Sequence, residues 1–207
     1  LGLEKSKNWV SISSILLNTA AGAYGDAAIA GMTITTKIVM FIASIMIGVG
    51  QGFSPVSGYN FGAKRYDRVK QAYTFTLTAG FILMGSLATI IFIFANQIMN
   101  AFINDLNVVK IGVAALRWQV AFLPFHSLII GTNMLMQSTR HIKSATYLSM
   151  NRNGIYFIPA ILILPRVIGL QGVEMAQFVA DVLSAITAVP FAIYFFKKMS
   201  NYNSEQN

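Results

Sequence analysis

The sequence predicts an all-α, polytopic membrane protein built as a bundle of six transmembrane helices. Composition is the first observation: the chain is 55% hydrophobic and 11% charged, against roughly 25% charged in a soluble domain. The second is the length of the charge-free intervals. About 26 uncharged positions separate Lys37 from Lys64, about 34 separate Lys70 from Asp105 and about 22 separate Arg117 from Arg140, where roughly 20 suffice to cross a bilayer as helix. The third is the absence of alternating polar and apolar residues, which argues against a membrane β-barrel.

Six apolar segments follow in order. Trp9 to Ala23 is short for a crossing and follows the polar run LGLEKSKN, so either its helix begins late or its upstream part is missing. Ala27 to Ser57 and Ala72 to Asn96 are long and uninterrupted apart from Lys37 and Pro55. Val108 to Gln137 carries Arg117 and Pro124, Ala145 to Leu164 carries Arg152 and Pro159, and Gly169 to Phe196 carries Asp181 and Pro190. Connectors as short as AYGDA and QSTRHIKSA imply antiparallel helix hairpins. Residues 1–198 therefore read as one six-helix lobe, and 199–207 as a polar, disordered cytoplasmic tail. A start at Leu1 rather than Met is expected of a fragment or a processed chain.

Orientation follows from the loop charges. Lys64, Arg65, Arg68 and Lys70 follow the second segment, Arg140 and Lys143 the fourth, and Lys197 and Lys198 the sixth, against only Lys110 and Arg166 on the opposite side. By the positive-inside rule the first group is cytoplasmic, with both chain ends on that side of the membrane, and Asp26, Asp105 and Glu174 face outward. The net charge of +8 thus belongs to segment ends and implies no nucleic-acid partner. No cysteine is present, so disulfides, thiol nucleophiles and thiolate metal sites are excluded.

Enzyme signatures are lacking: no phosphate-binding GxxxxGK[ST], no HExxH and no GxSxG occurs. His141, between Arg140 and Lys143, reads as a solvated loop residue, and His126 as a packed or interfacial one with no carboxylate partner in view. More informative are the ionisable residues inside the apolar segments, Lys37, Arg117, Arg152 and Asp181, because each unpaired charge costs about 2.5 kcal/mol or more in hydrocarbon. They are expected to face a protein interior or a wet cavity. At about 1.5 Å per residue, Arg152 and Asp181 differ in depth by less than about 10 Å, within reach of a long Arg side chain, which predicts an ion pair. Lys37 and Arg117 have no such acid, and line a cleft, pair with groups outside the chain, or snorkel. Pro124, Pro159 and Pro190 mark expected kinks, and the small-residue run AAGAYGDAAIAG marks close helix packing.

Several stretches resemble the multidrug and toxic compound extrusion (MATE) family, in particular its carboxy-terminal half. They are AAGAYGDAAIAGMTI (Ala20 to Ile34), IGVGQGFSPVSGYNFGAKRYDRV (Ile47 to Val69), ALRWQ (Ala115 to Gln119) and RNGIYFIPAILILPRVIGLQGVEMAQFVAD (Arg152 to Asp181). The pattern GQGxxPxxGYNxGAKxYDRV is specific in order and spacing. The resemblance implies twelve helices in two six-helix bundles around an export cavity, with this chain as helices seven to twelve of one lobe. It further implies efflux of amphipathic, cationic or aromatic drugs by Na⁺ or H⁺ antiport, no other cofactor or metal, and a partner that is an amino-terminal six-helix half or a second copy.

Two positions depart from the pattern: Ser54 stands where Gln is expected and Phe178 where Pro is expected. Asp181 is the intramembrane acid available for coupling, and Asn18, Gln119, Asn133 and Gln137 are polar candidates for the bundle interior, where each either lines the pathway or bonds a neighbouring helix. Two other readings stay open: a lipid-linked sugar flippase of a related fold, and a non-transporting or decayed membrane fragment.

Overall fold

The computed structural model describes the backbone of residues 2–204 and the side chains of residues 11–200. Helices account for nearly all of it, and no strand occurs among the described residues. In order they are α1 (Gly2–Gly22), α2 (Asp26–Gly62), α3 (Tyr66–Phe102), α4 (Leu106–Ala121), a 3₁₀ turn (Leu123–Phe125), α5 (His126–Ser138), α6 (Ile142–Met150), a π-turn (Asn151–Ile155), α7 (Phe157–Ile168) and α8 (Leu170–Ser204). The first helix extends upstream to Gly2 instead of beginning late.

Three helices, α2, α3 and residues Leu170–Ser200 of α8, are long and apolar enough to cross a membrane, and α4 with the segment Leu123–Ser138 qualifies as one span bent by 44°. Pro124 explains the bend: lacking an N–H and holding a fixed φ, it ends the α4 ladder and starts a 3₁₀ turn. Pro159 lies in the first turn of α7, directly after the π-turn, where its missing donor costs little. Pro190 sits within the continuous α8.

Chain reversals have local causes. Gly25 takes φ +95° between α1 and α2, a region L residues avoid, and Asp105 caps α4 by accepting from the Asn107 and Val108 amides at 2.8 and 3.1 Å. The segment 199–204, expected to be a disordered tail, instead continues α8. MSNYNS contains neither Gly nor Pro to stop the ladder, and Met199 is buried in the core beside Phe195. Residues 205–207 of that expected tail lie outside the described residues.

Lipid tails are as apolar as leucine, so such helices associate by close contact rather than by water exclusion. The packing shows this. Gly31 of α2 sits so near α4 that a Cβ there would meet Val108 O at 3.1 Å and Gly112 N at 3.2 Å, and the neighbouring Thr35 donates Oγ1 to Gly112 O at 3.1 Å. Gly172 allows α8 to run against the end of α7, where a Cβ would fall 2.3 Å from the Leu164 carbonyl carbon. Between these crossings lie three cores, among them a methionine-rich one of α2, α3 and α4 around Met46, Met84 and Met99. Another, of α1, α2, α4, α7 and α8 around Met32, Ala115, Phe157 and Val173, forms the floor on which the candidate site is built.

Candidate functional site

Asp181 lies in the first half of α8 with only 1% of its side chain exposed. Its Oδ1 accepts from Arg152 Nε at 2.7 Å and from Gln177 Nε2 at 3.0 Å. Its Oδ2 faces His126 Nε2 at 3.5 Å. One carboxylate is thereby surrounded by groups from the start of α5, from the π-turn and from its own helix one turn earlier.

Local structure aims each of these groups. The bend at Pro124 turns the first residue of α5, His126, into the bundle, where it is fully buried. Arg152 sits in the π-turn, in which Tyr156 N–H bonds Asn151 O at 2.9 Å, five residues back instead of four. The extra residue widens the backbone and lets a long side chain reach across to α8. Asn151 beside it is fully buried and donates Nδ2 to Thr187 Oγ1 at 3.4 Å, a second polar tie to α8.

A buried carboxylate with a guanidinium partner avoids the desolvation penalty of an isolated charge. The pair is lopsided in access: Arg152 is 22% exposed while Asp181 is sealed behind it. Arg152 lines a cleft of about 150 Å³ together with Gln119 and Gln177, with Ser13 of α1 and Thr36 of α2, and with an apolar wall that includes Met32, Val39 and Phe157. Ser13 also donates its hydroxyl to Asn153 O, which ties α1 to the π-turn.

Arg152 and Asp181 thus form the contact expected from their depths, and Gln119, 3% exposed, shares the Arg152 cleft. The other candidates lie apart from it. Asn133 donates to Ala145 O at 2.9 Å and Ser149 Oγ at 2.8 Å, and Gln137 bonds Asn133 Oδ1, so this pair joins α5 to α6. Asn18 and Gln137 are exposed rather than interior, because each lies on the outward face of its helix. Lys37 and Arg117 are likewise on the surface of the described bundle, not inside it. Arg117 occupies a groove between α3 and α4 with Asn96 and Lys110, its guanidinium 5.4 Å from the Phe92 ring centre.

Two further side chains depart from expectation. His141 is half-buried, edge-on to Phe195 at 5.4 Å and to Phe61 at 6.2 Å, instead of solvated, because the α5–α6 turn folds back over α8. His126 has a carboxylate neighbour after all, on a helix 55 positions downstream, as the residue numbers of Asp181 and His126 show. No local pattern links those two. Gln177 was missed, although the sequence held a signal for it: a Gln four residues before an Asp on one helix shares its face.

Compared with known proteins, residues 8–162 match the family model described as MatE, and the chain belongs to that family, one of membrane transporters rather than enzymes. It is a multi-pass membrane chain. Among its relatives, the multidrug export protein MepA of Staphylococcus saprophyticus is 23% identical over 180 residues, covering 87% of this chain and 40% of that protein. MepA of Staphylococcus haemolyticus is 23% identical over 185 residues, covering 89% and 40%.

The fold agrees with solved structures. An outward-facing multidrug resistance MATE family transporter of the MOP superfamily superposes with a TM-score of 0.90 at 19% identity, over 97% of this chain and 46% of that one. A MOP superfamily transporter from Pyrococcus furiosus, whose structure is described by a reversed polarity of its binding pocket, gives 0.90 at 19% identity, over 97% and 46%. The chain therefore spans less than half the length of these relatives.

Proposed function

We propose that this chain is the carboxy-terminal lobe, helices seven to twelve, of a secondary exporter of amphipathic small molecules driven by Na⁺ or H⁺ exchange. In this reading α1, the α4–α5 segment and the α6–α7 segment each cross the membrane once, the chain has six spans, and both ends lie in the cytoplasm. The observation that carries the reading is the Arg152–Asp181 pair, a sealed carboxylate joined to a guanidinium that opens on a cleft. A buried ion pair of this kind is a two-state element: protonating or cation-loading Asp181 frees Arg152, and the helices holding them are then no longer tied.

The π-turn and the Pro124 bend supply irregular backbone beside that pair, as transporters place it around their midplane sites. A lobe provides one wall of an export cavity. Activity accordingly requires a complementary amino-terminal half or a second copy.

The test is efflux in bacteria stripped of their own drug exporters, expressing the chain with and without an amino-terminal MATE half. Accumulation of a panel of fluorescent amphipathic dyes is expected to fall with both halves, or with the chain alone where two copies pair, and Asp181→Asn is expected to abolish the drop. Unchanged accumulation with every partner half would instead make the chain a non-transporting membrane protein.

A further inference from the structure

The cleft at Arg152 has a polarity of its own. Its polar lining consists of one guanidinium, the amides of Gln119, Gln177 and Asn153, and hydroxyls, and no carboxylate is among its lining residues. The nearest acid, Asp181, is 1% exposed, and both its oxygens are already faced, Oδ1 by Arg152 and Gln177 and Oδ2 by His126. An incoming organic cation would meet the guanidinium first and find the compensating carboxylate sealed behind it.

We propose that this cleft is a subsite for an anionic head group, a carboxylate or sulfonate carried on an apolar body, and that it disfavours organic cations. The inference rests on the export reading and names the charge of compound that this lobe accepts. Arg152 supplies the recognition: a guanidinium has five N–H donors in a planar fork, and the Asp181 contact takes only the Nε hydrogen. Gln119, almost fully buried, adds an amide on the α4 side, and Gln177 adds one from α8. Both amides can turn a donor toward an anion.

Size and wall chemistry complete the description. A volume of about 150 Å³ is of the order that holds a single benzene ring in a protein interior. Met32, Val39 and Phe157 provide the greasy surface for such a ring. The occupant is thus a short aryl or alkyl acid, or the acidic end of a larger compound whose remainder extends out of the cleft.

Binding to the purified chain in detergent tests this, with two probes of matched body and opposite charge, benzoate and phenyltrimethylammonium. The benzoate is expected to bind about tenfold or more tighter, as a difference of affinities set by one charge contact. Arg152→Gln with Asp181→Asn together remove both charges without stranding either one, and that double variant is expected to lose the preference while keeping its helical circular dichroism and melting transition. Arg152→Lys, which keeps the positive charge, is expected to retain part of it. Equal or tighter binding of the ammonium, an unchanged preference in the folded double variant, or no binding of either probe would overturn the proposal. Because the measurement uses neither a partner half nor an ion gradient, its outcome is separable from that of the efflux assay.

Discussion

Asp181 Oδ1 stands 2.7 Å from Arg152 Nε, across the gap between α8 and the π-turn, and together with the Asn151–Thr187 bond this contact ties the two segments to each other. Truncating one partner strands a charge in a dry interior, whereas reversing both restores the attraction. Arg152→Met is expected to destabilise the lobe by about 3–5 kcal/mol, and the exchange Arg152→Asp with Asp181→Arg is expected to recover at least half of that. Thermal unfolding in a mild detergent reads both. Failure of the exchange to improve on either single variant would show that the two side chains act separately.

The glycines divide sharply by environment. A Cβ at Gly172 would overlap the Leu164 carbonyl and the Pro165 nitrogen, backbone atoms that cannot rotate away, while Gly48 and Gly52 have nothing within 4 Å of theirs. Gly172→Ala is therefore expected to cost about 1–3 kcal/mol by forcing α7 and α8 apart. Gly48→Ala and Gly52→Ala are expected to stabilise by up to about 1 kcal/mol through helix propensity. Melting temperatures of the three variants decide the matter, and similar effects at all three positions would contradict the packing described.

Tyr73 Oη and Thr132 Oγ1 share a buried hydrogen bond of 2.7 Å that links α3 to α5. Removing one hydroxyl leaves the other without a partner in an apolar core. Tyr73→Phe or Thr132→Val alone should cost about 1–2 kcal/mol, and the double variant less than the sum. A double-mutant cycle on unfolding free energies tests this, and strict additivity would mean that the bond contributes nothing.

Because the chain has no cysteine, single thiols can report its topology without background. A membrane-impermeant maleimide is expected to label Asn107→Cys, in the exposed first turn of α4, in intact cells. Arg65→Cys, between α2 and α3, should react only after permeabilisation. The reverse pattern would invert the orientation inferred from the loop charges.

Much of this architecture could be read from residue order, and the reasons differ by feature. Charge-free length exposed α2, α3 and the bent α4–α5 segment because crossing hydrocarbon demands it, and Pro124 announced the break before α5 because a proline cannot donate to a helix ladder. Depth counting linked Arg152 to Asp181 because a helix rises evenly. It did not reach His126, whose approach to Asp181 depends on how far α5 swings at the bend, a tertiary quantity with no local pattern. For the same reason the outward aim of Lys37, Arg117 and Asn18 was not legible: apolar residues surround these helices on every side, so no hydrophobic stripe distinguishes the inner face. The tail was misread because a polar composition suggests disorder, yet it does not stop a helix already nucleated by 29 residues, Leu170 to Lys198, of α8.

The widened turn at Asn151–Ile155 holds one more residue than a regular ladder would. Its excision by a single-codon deletion would close the turn to an ordinary ladder, with the helix downstream keeping its register. Phe157 would keep its seat in the core, while the guanidinium would point elsewhere. A gene library scanned for deletions is thus expected to tolerate the loss of a residue here better than inside the regular helices, with the damage falling on the reach of Arg152 rather than on the bundle.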